Sequence, residues 1–349
     1  MLKGIAIILM FVHHFFAFPG WWANGIYYTS IAEHADYLRA VTKICVCIFV
    51  FMTGYLFFYS KDKSYKKSFK KILLTYGVYW IIVIPFFALA ILTGVQNFSI
   101  LGLLGELLAT SSNICLINWY MIFYAIVLLT LPLMDRFIST KPVLLVIVGI
   151  ILPIVISSLD LMYVNNGILC VIFANIRSFY PVITVGYICA KYDVFNLLYD
   201  KVFSRIKHKL ITVIIMAIGV VAVAFTRGVF DSPLCRINWM PGTMFLYFVK
   251  LVVDINLDVL YAPLFVFSFF TLLKLLPNWL KKCAVPVALM GQTSLGMWLI
   301  SGVFFGVNSG IMQSILYFPR KAPLVLLWGL ILCFIPAYLI DMLMRKINK

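Results

Sequence analysis

Apolar residues in this chain form unbroken runs of about 20 residues, which charged residues, proline or glycine separate. About 20 residues of α-helix cross the hydrocarbon core of a bilayer. Ten such segments follow one another: about 4–22, 43–60, 72–93, 117–134, 142–159, 168–190, 210–226, 257–276, 286–306 and 323–344. Because unbroken runs are typical of membrane helices rather than barrel strands, the pattern predicts an all-α, polytopic membrane bundle of about ten transmembrane helices.

The composition agrees with a chain that lies almost entirely in a membrane. Of its 349 residues, 64% are hydrophobic and only 11% are charged, and the mean hydropathy is +1.06. Such a chain cannot present a polar surface to water on every side, which excludes a soluble globular protein. No internal repeat or soluble appendage is visible, so we expect a single integral-membrane domain over residues 1–349 with no soluble appended domain.

The net charge of +16 changes this picture only through its distribution. If Met1 is cytoplasmic, 20 of the 28 Lys and Arg residues fall in inner loops and six in outer ones. Basic residues mark the cytoplasmic side of membrane helices, so both termini are expected to be cytoplasmic and the basic loops to meet membrane lipids. The charge therefore gives no reason to expect a nucleic acid partner.

Two outer segments, 94–116 and 227–256, are long for simple turns. We favour covering loops with an interfacial helix over re-entrant segments that bind substrate. The second segment runs into Asp258, which shares a helical face with Asp254 and Lys250 because the three are spaced by four residues. That spacing indicates a solvated stripe rather than a catalytic carboxylate pair.

The eight cysteines lie almost all inside apolar segments, where a thiol behaves as a small hydrophobic side chain. Cys45 and Cys47 are separated by one residue, which is the wrong spacing for a two-residue metal knuckle, and no histidine-rich loop accompanies them. The pattern predicts neither a disulfide framework nor a metal site.

Ionisable residues inside the apolar segments are few, and each costs on the order of 3 kcal/mol to insert. The first segment contains His13 and His14, and neighbours on a helix point about 100° apart, so only one faces the interior. That histidine is either a structural core residue or a base, and Lys3 at the start of the segment makes the two interpretations comparable. Arg177 in the sixth segment must bind an anion, carbonyls or a carboxylate, as part of a pocket or as a brace.

Polar and aromatic residues near the ends of segments also have two interpretations. Trp119 and Tyr120 begin the fourth segment and Ser294 lies in the ninth. Aromatic residues there anchor a helix at the membrane surface by default. The lysine cluster 61–71 fixes orientation, or binds acidic lipid heads or the phosphates of a nucleotide-bearing cofactor.

Five short motifs stand in order along the chain: LKGIAIILMFVHH (2–14), CIFVFMTGYLF (47–57), KKILL (70–74), NWYM (118–121) and MGQTSLGMWLI (290–300). Their order and spacing resemble the membrane-bound acyltransferase 3 family, which includes bacterial O-acetyltransferases of surface polysaccharides. The first motif matches best. The family opens with a basic residue, ten further residues and a histidine, and these two positions are Lys3 and His14 here.

The resemblance implies an O-acyltransferase of the bacterial plasma membrane. Such an enzyme moves an acyl group, most often acetyl from cytoplasmic acetyl-CoA, to a hydroxyl of a cell-surface or lipid-linked saccharide. Histidine meets the need for a base near neutral pH, and a cation stabilises the developing oxyanion. The expected catalytic residues are His14, Lys3 and Arg177; Lys3, Lys70 and Lys71 are expected to bind acetyl-CoA, and Trp119, Tyr120 and Ser294 the substrate.

Three positions depart from the family pattern. Lys3 replaces the usual arginine, Leu74 stands where a second arginine often follows, and Ser301 stands where many members place a histidine. These departures leave open an altered donor, an altered acceptor or reduced activity.

Other classes of function also stay open. They are a transporter or flippase of lipid-linked glycans, and a catalytically silent relative that acts as a subunit. Some relatives carry an additional hydrolase-like domain outside the membrane. For this chain we expect either that the acceptor reaches the bundle itself or that a partner protein completes transfer at the outer face.

Overall fold

The computed structural model describes residues 1–18, 35–155, 167–203, 209–231, 257–306 and 310–347, which contain helices and no strand. The α-helices, in chain order, are α1 Leu2–Ala17, α2 Ala35–Thr42, α3 Ile44–Phe58, α4 Tyr65–Leu92, α5 Ile100–Leu107, α6 Trp119–Leu133, α7 Pro142–Val146, α8 Gly167–Lys191, α9 Val194–Leu198, α10 Lys209–Asp231, α11 Asp258–Leu275, α12 Asn278–Cys283, α13 Val285–Gln292, α14 Ser294–Phe304, α15 Gly310–Leu316 and α16 Ala322–Ile347. Single π-helical turns occupy Met134–Ile138, Ile147–Ile151 and Tyr199–Phe203.

As far as the structure describes them, the ten predicted segments each overlap a helix or a run of consecutive helices, while 19–22 and 156–159 lie outside the described residues. Within the described residues, six helices are long and apolar enough to cross a membrane, and α13 with α14 forms a seventh span that is bent by 75°. Three further apolar helices, 2–17, 142–155 and 211–227, are shorter. The all-α, multi-pass membrane architecture is confirmed, whereas the number ten and the cytoplasmic termini stay predictions.

The chain divides into two compact units. Unit one comprises residues 1–2, 40–64 and 130–288, and unit two comprises residues 3–39, 65–129 and 289–349. Each unit is therefore built from separate stretches of the chain. The expectation of a single domain over residues 1–349 stays a prediction.

In unit one, α3 and α8 pack backbone against backbone. A Cβ atom at Gly54 would overlap the carbonyl oxygen of Ile183, and a Cβ atom at Gly186 would overlap the carbonyl oxygen of Phe51. Small residues permit such close approach between membrane helices, where van der Waals contact drives association. Gly54 belongs to the motif at 47–57, so the motif glycine has a packing role.

One face of α8 also binds two of the π-helical turns. Thr184 Oγ1 donates a hydrogen bond to the carbonyl oxygen of Gly149 at 2.9 Å, and the Tyr187 hydroxyl donates to the Asp135 carboxylate. Asp135 in turn pairs with Lys63 Nζ at 2.8 Å. A π-helical turn disturbs the regular ladder of backbone hydrogen bonds, and side chains of α8 stabilise the turns at 134–138 and 147–151.

A largely buried ion pair joins α10 to α11. Arg227 Nε and Nη2 lie 2.7 and 3.1 Å from the two carboxylate oxygens of Asp258, and Arg227 Nη1 donates to the carbonyl oxygen of Ala40 at 2.9 Å. The predicted solvated stripe is therefore wrong for Asp258, because a buried guanidinium binds its carboxylate. Lys250 and Asp254 lie outside the described residues, as does most of the segment 227–256.

In unit two, the segment 94–116 turns back along α4 instead of covering its end. The Tyr79 hydroxyl donates to the carbonyl oxygen of Glu106 at 2.8 Å, and Trp80 Nε1 donates to that of Leu107 at 2.8 Å. Tyr79 lies 13 residues before the end of α4, which is ~20 Å along the helix axis. The prediction of a covering loop is wrong here, because the end of α5 is bound to the middle of α4.

Candidate functional site

Only one of the two neighbouring histidines, His14, lies on the buried face of α1. Ile7, Met10, Phe11 and His14 are spaced by three or four residues and are all buried, so they share one helical face. His14 is only 6% exposed. His13 points elsewhere, and its Nδ1 lies 2.8 Å from the carbonyl oxygen of Arg39. The expectation that only one histidine faces the interior is met by His14.

Among the described residues, the His14 ring has one hydrogen-bond partner and three ring neighbours, one of which is His13 at 5.8 Å between centroids. His14 Nδ1 lies 3.3 Å from Ser301 Oγ. Phe18 and Phe305 flank the ring, with centroids at 5.4 and 5.9 Å. The site therefore combines a single polar contact with apolar walls, a setting in which each hydrogen bond counts for more than in water.

The bent pair α13 and α14 meets α1 at two levels. At the start of α1, Gly291 lies so close that a Cβ atom there would be 2.8 Å from the Gly4 nitrogen and 3.3 Å from Lys3 Cβ. Further along, Ser301 reaches His14. The motifs at 2–14 and 290–300 are thus in direct contact although nearly the whole chain separates them.

Two of the three lysines expected to bind a cofactor lie near each other. Lys3 and Lys71 are close enough for their positive charges to repel, and among the described residues neither forms a salt bridge. Lys70 and Lys71 are exposed on α4. Two cations that repel each other and that form no salt bridge are suited to binding an anion such as a phosphate group.

An aromatic row, consisting of Tyr124, Tyr120 and Trp298, starts beside Lys71. Lys71 Nζ lies 5.7 Å from the centre of the Tyr124 ring. Tyr124 stacks on Tyr120 at 5.8 Å, and Tyr120 meets Trp298 edge-on at 5.4 Å. Trp298 lies three residues before Ser301 on α14, so the row leads from the lysines toward His14. All three aromatic side chains are partly exposed.

The other expected substrate residues lie around this row. Trp119 packs edge-on against Tyr120 at 5.7 Å, so the structure places both in one aromatic cluster. Ser294 begins α14 and is half-buried. Tyr120 also contacts Phe123, so its ring packs against four aromatic side chains of unit two, and the surface-anchor interpretation of Trp119 and Tyr120 stays a prediction.

Arg177 belongs to unit one, whereas His14, Lys3, Lys70 and Lys71 belong to unit two. It lies in α8, is half-buried and precedes Pro181 by four residues. A proline inside a helix leaves the carbonyl four residues earlier without its helical donor. Arg177 therefore stays a candidate catalytic residue because of its positive charge and its position four residues before Pro181.

A buried polar cluster in unit two was not foreseen from the sequence. Glu106 is fully buried, and its Oε1 accepts hydrogen bonds from Ser111 Oγ at 2.5 Å and from the Asn113 backbone at 2.9 Å. Its Oε2 is buried and has no hydrogen-bond partner in the described structure. Asn118 links the cluster to α4 by donating to the Tyr79 hydroxyl at 3.1 Å. Burial raises the pKa of the Glu106 carboxyl, while these two hydrogen bonds oppose the shift.

Comparison with known protein families identifies the class. The family model described as "Acyltransferase domain" matches residues 1–342. The chain belongs to this acyltransferase 3 family and is a multi-pass membrane protein. Comparisons with curated proteins and with solved structures gave no match.

Proposed function

We propose that the protein transfers an acyl group, acetyl in the first instance, from acyl-CoA to a hydroxyl of a cell-surface or lipid-linked saccharide. The observation that carries the proposal is the arrangement along α1: His14 is buried and hydrogen-bonded to Ser301, and Lys3, eleven residues earlier, is near enough to Lys71 for their positive charges to repel. Family membership supports an acyltransferase. The acyl donor, the acceptor and a location in the bacterial plasma membrane are parts of the proposal.

His14 is the residue that performs the chemistry. Attack of a hydroxyl on a thioester carbonyl needs a base that takes the hydroxyl proton, and imidazole does this near neutral pH. As a base, His14 accepts that proton while the new ester bond forms and the CoA thiolate leaves. As a transient carrier, its ring nitrogen instead attacks the thioester carbonyl and the CoA thiolate leaves as the C–S bond breaks; the acyl group then passes to the hydroxyl, and the departing imidazole takes up the hydroxyl proton.

The donor would bind with its phosphates at the lysines. Eleven residues separate Lys3 from His14, which is ~16 Å along the helix. Acyl-CoA carries its phosphates and its thioester at opposite ends of a long arm, so Lys3, Lys70 and Lys71 can bind the anionic end while the thioester lies near His14. The aromatic row provides partly exposed rings along this direction.

The remaining assignments concern the acceptor and the oxyanion. Trp119, Tyr120 and Ser294 offer aromatic faces and a hydroxyl to a sugar. Arg177 is proposed to stabilise developing negative charge or to hold a sugar-linked phosphate. Cytoplasmic termini would place Lys3 on the side where acyl-CoA is available, and a partner protein completing transfer at the outer face stays an alternative for the last step.

The proposal is tested with purified full-length protein and radiolabelled acetyl-CoA. Wild type is compared with His14→Ala, and the label is followed from the thioester to protein or to added glycan. We expect thioester consumption by wild type and its loss in His14→Ala, with both proteins folded in detergent.

The matched control is His13→Asn, which changes the neighbouring histidine but keeps a donor that can reach the Arg39 carbonyl oxygen. It should consume the thioester at close to the wild-type rate. Turnover retained in His14→Ala would exclude the assigned base. A folded wild type that neither consumes the thioester nor binds CoA would favour a silent relative or a transporter.

A further inference from the structure

The hydroxyl of Ser301 takes part in two hydrogen bonds, and their lengths differ. Ser301 Oγ lies 2.7 Å from the carbonyl oxygen of Trp298 and 3.3 Å from His14 Nδ1. A serine hydroxyl has one proton to donate and can accept elsewhere, whereas a carbonyl oxygen can only accept. The hydroxyl proton therefore belongs to the shorter bond, and the oxygen of Ser301 is left as an acceptor for His14.

This polarity determines which nitrogen of His14 carries the proton. If Ser301 Oγ accepts at Nδ1, then Nδ1 must hold a hydrogen. A neutral imidazole has only one N–H, so Nε2 carries the lone pair. Phe18 and Phe305 pack against the ring and are apolar. Their side chains offer no hydrogen-bonding group that could replace Ser301 at Nδ1.

We infer that Ser301 is a positioning residue that holds His14 in the tautomer with hydrogen on Nδ1, so that Nε2 is the atom that accepts the proton in acyl transfer. The inference rests on the proposed function of His14. Ser301 itself takes up no proton, because its own hydrogen stays on the bond to Trp298 while the Nδ1–H bond persists in the imidazolium.

The burial of Ser301 means that only its own hydroxyl can fill this positioning role. Ser301 is fully buried, so no solvent hydroxyl replaces it when it is removed. Ser301 is also one of the three departures from the family pattern, because many relatives place histidine at this position. A serine at this position can orient the His14 ring without adding a further titratable group to the one already beside it, His13, whose ring centroid lies at 5.8 Å.

The first test reads the tautomer directly, without any acyl donor. Full-length protein labelled with ¹⁵N-histidine is studied by solid-state NMR in lipid vesicles, and His14→Gln identifies the His14 signals. We expect an unprotonated Nε2 in wild type and a gain of protonated Nε2 in Ser301→Ala. A protonated Nε2 in wild type, or no change in Ser301→Ala, would overturn the inference.

The second test is kinetic. Loss of one buried neutral hydrogen bond corresponds to roughly a 10-fold change, so Ser301→Ala should lower kcat by roughly 10-fold and leave the KM for acetyl-CoA unchanged. Ser301→Thr keeps the hydroxyl and should retain both kcat and the wild-type tautomer. If the added methyl group prevents folding of that variant, the NMR result of Ser301→Ala decides alone.

The control is Ser268→Ala, which removes another buried hydroxyl from a membrane helix of unit one. It should leave the His14 signals and kcat unchanged. An equal fall in kcat for Ser268→Ala and Ser301→Ala would show a general packing effect and contradict the inference. Should His14→Ala retain turnover, the proposed function fails, whereas the NMR result still tests the link between Ser301 and His14.

Discussion

The charged side chains of unit one are arranged differently from those near His14 in unit two, although unit two also contains the ion pair of Arg345 with Asp341. In unit one, Arg227 is paired with Asp258 and Lys63 with Asp135, so positive charge meets a carboxylate. In unit two, Lys3 and Lys71 repel each other, and the buried His14 is bound by a neutral hydroxyl. A charge that is paired with the opposite charge stabilises packing, whereas two neighbouring positive charges without an acidic partner can bind an anion. The difference indicates that these two ion pairs of unit one act as braces, whereas Lys3, Lys71 and His14 of unit two are suited to a site; Arg177, in unit one, stays a separate candidate.

The largest expected effect is a loss of stability when the buried ion pair of unit one is disrupted. Arg227→Met leaves the Asp258 carboxylate largely buried without its guanidinium, and such a loss costs about 3–5 kcal/mol. Thermal unfolding of the purified variant in detergent should therefore show a strongly lowered midpoint. Replacing both partners, in Arg227→Met with Asp258→Leu, should recover much of that loss. Equal stability of the single and the double variant would argue against the brace.

A smaller effect is expected on substrate binding in unit two. Lys71→Glu relieves the repulsion of Lys3 but places a negative charge where the donor phosphates are proposed to bind. The KM for acetyl-CoA should rise roughly 10-fold while kcat at saturation and thermal stability stay near wild type. Lys281→Glu, an exposed lysine of unit one, is the matched control and should leave KM unchanged. A fall in kcat with constant KM would contradict the assigned role of Lys71.

The smallest effect concerns Glu106. Burial raises the pKa of its carboxyl above the ordinary value of 4.5, so the folded protein holds the proton more tightly than the unfolded chain. Stability from this residue is therefore greatest at low pH and falls as the pH rises from about 4.5 through the raised value. Comparing unfolding midpoints of wild type and Glu106→Gln across pH 4 to 7 should show this slope only in wild type. A parallel slope in both proteins would assign it to another group.

The long apolar helices and the inward orientation of His14 are predictable from the sequence. Unbroken apolar runs identify the long helices, because length and hydrophobicity are local properties, but not the short helices such as α5 and α12. The spacing from Lys3 fixed the histidine, and the buried face of α1 confirms that it points inward. The bend of 75° after Gln292 was not readable, since no proline or charge marks that position.

Partners far apart in the chain could not be predicted. Ser301 was visible only as a departure, and its contact with His14 spans 287 residues. The sequence pattern places Arg227 in an outer segment and Asp258 in a solvated stripe. Spacing along one helix reports only neighbours on that helix, so it does not reveal that the two residues pair. Glu106 lay in a segment without regular periodicity, where sequence pattern carries no information on burial.

The close packing of α3 against α8 has a consequence for how this sequence can change over generations. At Gly54 and Gly186 a new side chain would meet the main chain of the facing helix. A side-chain neighbour can be replaced by a smaller one through a second mutation, but a carbonyl oxygen is the same for every amino acid. No compensating substitution at Ile183 or Phe51 can therefore make room, and descendants that keep this packing must keep both glycines.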